Sequence, residues 1–348
     1  MSRLRILAPW GIFMVMMALV VTPHSASAQA YSYFITPGQQ AALGQFSRVG
    51  PAVTSYNGTI YLAWAGTSGP SDGEALLNIA TSTDGINFSA AVNPLSSTDW
   101  SLSNSAPGIA VLNGNIYYAW TGGSNHINIA YAAAGSSLSG AFTSHKSLVN
   151  VGGVTQQALG SVALTASNGL LYLAWTGIGG SDQLNIATSP DGVNWSKTTY
   201  GYTSAYSPGL ASLSTGNVYM GWTSNNICWY INVSAGTGPW TCSGTLPNGG
   251  GVYTYSPVTG TTGPGLALIN SGALACAFAA LPYTSGNALF FNDISAGFNT
   301  PVSYEVTPTP TSSDAVNGNP AVLVSGSTTF VYFTNGSDEI EVATFATP

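Results

Sequence analysis

Five acidic residues, Asp72, Glu74, Asp99, Asp182 and Asp314, fall in polar stretches rich in glycine and serine. Two carboxylates of unequal pKa on either side of a glycosidic bond suffice to hydrolyse it, so these five are the candidate catalytic residues. Their spacing matches no motif, and chemistry therefore requires a fold that makes distant loops converge. Aromatic residues accompany them: Trp100 beside Asp99, then Tyr202, Tyr206, Tyr253, Tyr255 and Tyr283. Aromatic faces stack on sugar rings while Asn, Asp and Glu bond hydroxyls, so Asp72, Glu74, Asp99, Trp100, His126, Asp182, Tyr206, Tyr253, Tyr283 and Asp314 equally make a binding surface for a neutral glycan. His126 alone reads as a hydrogen-bonded surface group rather than a general base. The chain has no P-loop, HExxH, nucleophile elbow or Cys/His cluster, and no cofactor is expected. Acidic loops can hold calcium, but no motif here supports it.

The elements that must position these residues are written as a repeat. Tyr61-Leu-Ala-Trp64, Tyr117-Tyr-Ala-Trp120, Tyr172-Leu-Ala-Trp175 and Tyr219-Met-Gly-Trp222 are one strand copied, with weaker copies ending at Phe278 and Phe333. The final aromatics lie 56, 55, 47, 56 and 55 residues apart. Pro51, Pro107, Pro208, Pro264 and Pro320 keep step with them, each ahead of a short apolar run, with Ser161 standing for proline in the third copy. Each unit reads as four short strands joined by turns such as YNG and LNG, and no segment has sustained helical periodicity. Four-stranded sheets repeated about an axis predict an all-β, six-bladed β-propeller over residues 29–348. The last repeat lacks a fourth strand, and residues 31–37, YSYFITP, resemble 302–308, VSYEVTP, in the fourth-strand position of the fifth repeat. The N-terminal strand is thus expected to close the ring.

Two stretches, STDGINFS at 82–89 and SPDGVNWS at 189–196, look like the Asp-box. On them the chain resembles the sialidase-like, Asp-box-containing β-propellers, although both copies place Asp directly beside Gly, one residue shorter than that family's motif. The resemblance implies that the motif occupies the turn between third and fourth strands and is a folding device. Ser82, Asp84, Ser189 and Asp191 would then satisfy turn backbone, Gly85 and Gly192 would allow the bend, and Phe88 and Trp195 would pack inward. Sialidases of that family bind a carboxylate through three arginines, whereas Arg48 is the one arginine beyond residue 28. Sialidase activity is not expected, and no catalytic residue carries over. Six-bladed fucose-binding lectins are a second, architectural resemblance. Their inter-blade pockets combine Arg, Glu and aromatics, whereas the residues that recur here are uncharged: the tryptophan series and Asn78, Asn128 and Asn185. Core packing and satisfaction of buried backbone account for both sets.

Residues 1–28 read as a signal peptide: a basic MSRLR, an apolar run at 6–21 broken by Pro9 and Gly11, and ASA before a cleavage after Ala28. A secreted protein without stable membrane insertion is expected. The remainder holds three basic residues against twelve acidic ones, a net charge of −9, which argues against nucleic acid as a partner. Of three cysteines, Cys228 and Cys242 flank a turn-rich hairpin and are expected to form a disulfide, while Cys276 sits in an apolar run as a buried thiol. In a propeller, the loops from strand four to the next strand one and from strand two to strand three share a face. That face is assigned Arg48, Asp72, Glu74, Asp99, His126, Asp182, Asp314, Asp338 and Glu339. The other face receives Asp84, Asp191, Asp293, His145, Lys146 and Lys197. The leading expectation is a lectin-like module that binds neutral glycan through the long-loop face. The alternatives are a glycoside hydrolase of sialidase-like architecture using the loop carboxylates, and a non-catalytic surface or adhesion protein.

Overall fold

The computed structural model describes residues 40–67, 75–95, 102–213, 215–224, 227–241, 263–269, 273–280, 288–293, 302–305 and 317–346. Their strands form four-stranded antiparallel sheets in which sequence neighbours are sheet neighbours. The first sheet is Ala52–Tyr56, Thr59–Ala65, Ala75–Ser82 and Leu102–Ser103. The second is Gly108–Leu112, Asn115–Thr121, Ile127–Ala133 and Ser147–Leu148. The third is Ala163–Ser167, Leu170–Thr176, Gln183–Ser189 and Ser196–Thr203. The fourth is Gly209–Ser212, Val218–Ser224, Ile227–Asn232 and Thr237–Thr241. A sheet of Gly265–Ile269, Ala273–Ala280, Ala288–Asp293 and Val302–Glu305 follows. The last contains Asn317–Ser325, Thr328–Thr334 and Glu339–Ala346. The first strands of successive sheets neighbour one another, and that of the last sheet lies against that of the first, so the sheets surround an axis as a β-propeller.

Local chemistry explains the repeat. Asn57 and Gly58 have φ of 47° and 78°, Asn113 and Gly114 of 51° and 76°, and Asn168 and Gly169 of 50° and 76°, the left-handed pair that a two-residue hairpin turn needs. The second strands are buried on both faces and carry the largest core side chains, Trp64, Trp120, Trp175, Trp222 and Phe333, none more than 2% exposed. The core is distributed rather than central. One cluster joins sheets one and two, another sheets two and three, another three and four, and another the last sheet to the first.

Three sequence expectations are corrected. The first is the count of six blades. Among the described residues the buried clusters join the first four sheets and the last, an arrangement of five packed blades, and in the sheet from Gly265 to Glu305 Ala-Cys-Ala-Phe replaces the Tyr-x-x-Trp core signature. The second is the closing strand. Residues 31–37 lie outside the described residues, and the strand that completes the last sheet is Gln40–Phe46, which pairs Gln40 with Ala343 and Phe46 with Glu339. Its register shifts between Ala42 and Phe46, where Gly44 has φ of 64°. The third is the proline position. Val162, not Ser161, precedes the third sheet's first strand as Pro51, Pro107 and Pro208 precede theirs.

Sequence reading also missed a fastener. The threonine after the core aromatic donates to the carbonyl two residues before that proline position in the next sheet. The bonds are Thr121 Oγ1 to Gly160 O at 2.6 Å, Thr176 Oγ1 to Tyr206 O at 2.7 Å and Thr334 Oγ1 to Val49 O at 2.8 Å. Each satisfies a connection carbonyl and ties one second strand to its neighbour's entry.

Candidate functional site

Over the second and third sheets the described part of the long-loop face is one continuous surface, while Arg48, Asp338 and Glu339 lie over the last sheet and its junction with the first. The loop after Thr121 turns through Ser124 and Asn125, both left-handed at φ of 60° and 61°. Gly122 N donates to His126 O at 2.9 Å and Asn125 N to Gly122 O at 3.1 Å, which closes the loop. His126 bridges to Gln157, whose Nε2 donates to Ser124 O at 2.9 Å. The same connection then bridges Ala158 to Gly177 and sends Leu159 N to Thr176 O at 2.8 Å, reaching the third sheet. There Asp182, at φ of 45°, accepts on its carbonyl from Ser204 N at 2.9 Å, and Ser204 Oγ donates to Tyr206 O at 2.8 Å.

His126, Asp182 and Tyr206 thus lie along one hydrogen-bonded surface. Leu159 and Ile178 add exposed apolar patches of 47% and 38%, and partial burial raises the Tyr206 phenol pKa. Beneath the loop is Trp120, 1% exposed, whose indole N–H has no acceptor among the described residues. A Cβ on Gly122 would lie 3.6 Å from that nitrogen. The surface offers neutral donors and acceptors, one carboxylate and apolar contact, a set suited to hydroxyl recognition. Asp72, Glu74, Asp99, Trp100, Tyr253, Tyr255, Tyr283 and Asp314 lie outside the described residues. So do Cys242 and the side chains of Cys228 and Cys276. Among the described residues, no group of three or more His, Cys, Asp or Glu is placed to hold a metal.

The opposite face carries the two Ser-Asp turns. Ser82 Oγ accepts from Gly85 N at 2.9 Å, and Asp84 Oδ1 accepts from Ile86 N and Asn87 N at 2.9 and 2.7 Å. Ser189 Oγ accepts from Gly192 N at 2.9 Å, and Asp191 Oδ1 accepts from Val193 N and Asn194 N, both at 2.8 Å. These bonds stabilise the charged form. The Asn87 side chain and backbone N–H hold the Asp84 carboxyl far below its usual range, and the Asn194 backbone N–H leads in holding Asp191 at about 2. Carboxylates so fully engaged cannot act as proton donors near neutral pH. Trp195, 7% exposed, donates Nε1–H to Gly192 O at 3.0 Å.

Each turn also latches a junction. Gly85, at φ of 78°, presses on the Phe330 ring of the last sheet, and Tyr332 donates its hydroxyl to Gly85 O at 3.0 Å. Gly192, at φ of 77°, faces Tyr117 of the second sheet, where a Cβ would come within 2.6 Å of the ring, and the Tyr117 hydroxyl donates to Asp191 O at 3.3 Å. Lys197 lies just past the second turn, bonded to Gln156 Oε1 at 3.0 Å and 5.2 Å from the Trp175 ring centroid. Partial burial lowers its pKa. Asn78, Asn128 and Asn185 each donate to the carbonyl two residues earlier, at 2.8, 3.0 and 2.8 Å, and serve backbone rather than ligand.

At the axis, the long-loop end is a collar of Pro51, Pro107, Val162, Pro208, Pro264 and Pro320 around a cavity of about 90 Å³. Gly50, Gly209, Gly263 and Gly265 meet neighbouring backbone too closely for any Cβ. The collar's polar side chains are structural: Ser161 Oγ accepts from Ala106 N at 2.8 Å, and Asn319 Oδ1 accepts from Gly263 N.

This chain is an all-β propeller. No protein-family model matches it, and no curated protein matches its sequence. Among solved structures it is similar to an α-L-arabinofuranosidase of Fusarium graminearum in complex with an iminosugar inhibitor, at TM-score 0.60 and 12% identity over 88% of this chain and 97% of that one. It is similar to an α-L-arabinanase of Penicillium chrysogenum complexed with arabinobiose, at 0.59 and 13% over 88% and 98%. The SapL1 lectin in complex with α-methyl fucoside follows at 0.57 and 14% over 87% and 98%. At these identities the likeness is one of fold.

Proposed function

We propose that this protein is a lectin-like propeller that binds neutral carbohydrate, without catalysis, through its long-loop face. The observation that carries the reading is the surface joining His126, Gln157, Asp182 and Tyr206. The solved structures it resembles include an arabinanase with arabinobiose bound and a lectin with α-methyl fucoside bound, which supports a sugar as ligand. The Ser-Asp turns are read as Asp-boxes with a folding role. Asp99 and Trp100 extend the binding face, residues 1–28 direct export with cleavage after Ala28, and Cys228 pairs with Cys242.

A glycan array run beside a chromogenic glycosidase panel tests the function. The expected result is retention of uncharged glycans, no turnover, and at least tenfold weaker binding in Asp182→Ala/Tyr206→Ala and in Asp99→Ala/Trp100→Ala at near-native melting temperature. Turnover abolished by Asp72→Asn or Asp99→Asn would establish the glycosidase reading instead. Retention of no neutral glycan would refute the lectin reading.

A further inference from the structure

Below the proline collar the axis widens, toward the turns between first and second strands, into a cavity of about 450 Å³, within the roughly 300–1,000 Å³ range of small-ligand sites. Its wall mixes polar and aliphatic strands around the ring. Hydroxyls come from the first strands of sheets one, three and four, as Thr54, Ser55, Thr165 and Ser212, while the other three first strands contribute only aliphatic side chains. Thr165 Oγ1 donates to Ser212 Oγ at 3.2 Å across the junction between sheets three and four. Each first strand pairs with a second strand on one side only, so its other backbone edge faces the axis and its N–H and C=O groups need partners there. None of the described lining residues is ionisable, so a buried charge would find no counter-ion among them. The collar narrows the far end, and the turns at the near end, Asn57-Gly58, Asn113-Gly114 and Asn168-Gly169, are uncharged.

We infer that this axial cavity is a second binding site, distinct from the long-loop face, for a small neutral polyol of monosaccharide size. Such a ligand would bond the hydroxyls of sheets one, three and four and the strand edges, while its C–H groups pack on the aliphatic side chains of the strands beside them. The site does not depend on the lectin reading, because it shares no residue with the surface proposed there.

The test is titration of the full chain with L-arabinose, methyl α-fucoside and glucuronate, followed by calorimetry and ligand-observed NMR. The variants are Thr165→Val/Ser212→Ala, which removes both partners of one hydrogen bond, and the cavity-filling Ala166→Phe. The neutral probes should bind the wild type. The double variant should bind about tenfold more weakly, the scale of losing one or two hydrogen bonds. All variants are read in an Asp182→Ala/Tyr206→Ala background, which leaves only the axial site; there Ala166→Phe should abolish binding, and glucuronate should not compete. If Ala166→Phe fails to fold, the double variant and the competition decide. Equal affinity with and without Thr165→Val/Ser212→Ala in that background, or no neutral probe bound there because the cavity holds water only, would each overturn the proposal. The loop variant distinguishes failure here from failure of the long-loop site.

Discussion

Two junctions of the ring are closed by a Ser-Asp turn, and the junction between the first and second sheets is not. Where the turn is present, its glycine presses on the aromatic ring of the preceding sheet, Phe330 or Tyr117, and its backbone carbonyls accept a tyrosine hydroxyl. The second sheet has the loop 134–142 instead. Over Tyr61, the counterpart of Tyr117, it leaves a groove of about 440 Å³ edged by Thr81, Ser89, Ser136 and Leu138. That junction is held from deeper in, by the Tyr118 hydroxyl on Asn78 O at 3.1 Å and by Phe142, fully buried in the cluster. The difference teaches that the motif is an external latch. A blade can dispense with it when the interior supplies an aromatic of its own.

The comparison can be broken most directly at Trp195. Trp195→Ala should cost about 3–5 kcal/mol in chemical denaturation, with Phe88→Ala, at a half-buried position, costing less. Equal losses would show that burial of the turn aromatic is not what sets its contribution. Next come the glycines. Gly192 and Gly135 share left-handed φ, 77° and 83°, but a Cβ on Gly135 meets nothing within 4 Å. Gly135→Ala should cost about 1–2 kcal/mol from backbone strain alone, and Gly192→Ala about 1–3 kcal/mol more from the clash with Tyr117. Matching melting curves for the two variants would remove the latch from the account.

Acid should act more gently. The Asp191 carboxyl is lowered from its ordinary 3.8 to about 2, and Asp84 is lowered further. A depressed folded-state pKa contributes stability that is present above about pH 4 and lost as pH falls toward 2. Asp84→Asn/Asp191→Asn should therefore flatten the decline of melting temperature between pH 4 and 2, and an unchanged slope would place the acid-sensitive groups elsewhere. The smallest effect belongs to the unlatched loop. Ser136→Ala, exposed and bonded only to Ala133 O at 2.7 Å, should stay within about 0.5 kcal/mol of wild type.

The ring was readable because its core strands bury both faces, so the Tyr-x-x-Trp pattern had to recur whatever the loops did. The threonine after the core aromatic, bonded to the next sheet's entry in three sheets, was not read as a fastener. The closing strand was not, since 40–46, QAALGQF, has neither β-branched residues nor alternation, and Gly44 interrupts its register. Its strand character comes from the unpaired edge of Glu339–Ala346, a tertiary cause with no local signature. The long-loop surface was legible as residue types but not as a constellation. Asp182 and Tyr206 meet through Ser204, and His126 reaches the third sheet through Gln157, links that no spacing announces. The axial cavity was invisible for the opposite reason, because its hydroxyls are single residues in strands that otherwise read as core.

The pairing of Gln40–Phe46 with Glu339–Ala346 also governs the order of events in synthesis. The first described strand to leave the ribosome finds its neighbour only when nearly the whole chain has followed. Until then the last sheet has no template, and an exposed strand edge waits at each end of an open arc. Closure is thus the most non-local strand pairing among the described residues, the kind that slows folding, and an arc left open is the species most exposed to pairing with another copy.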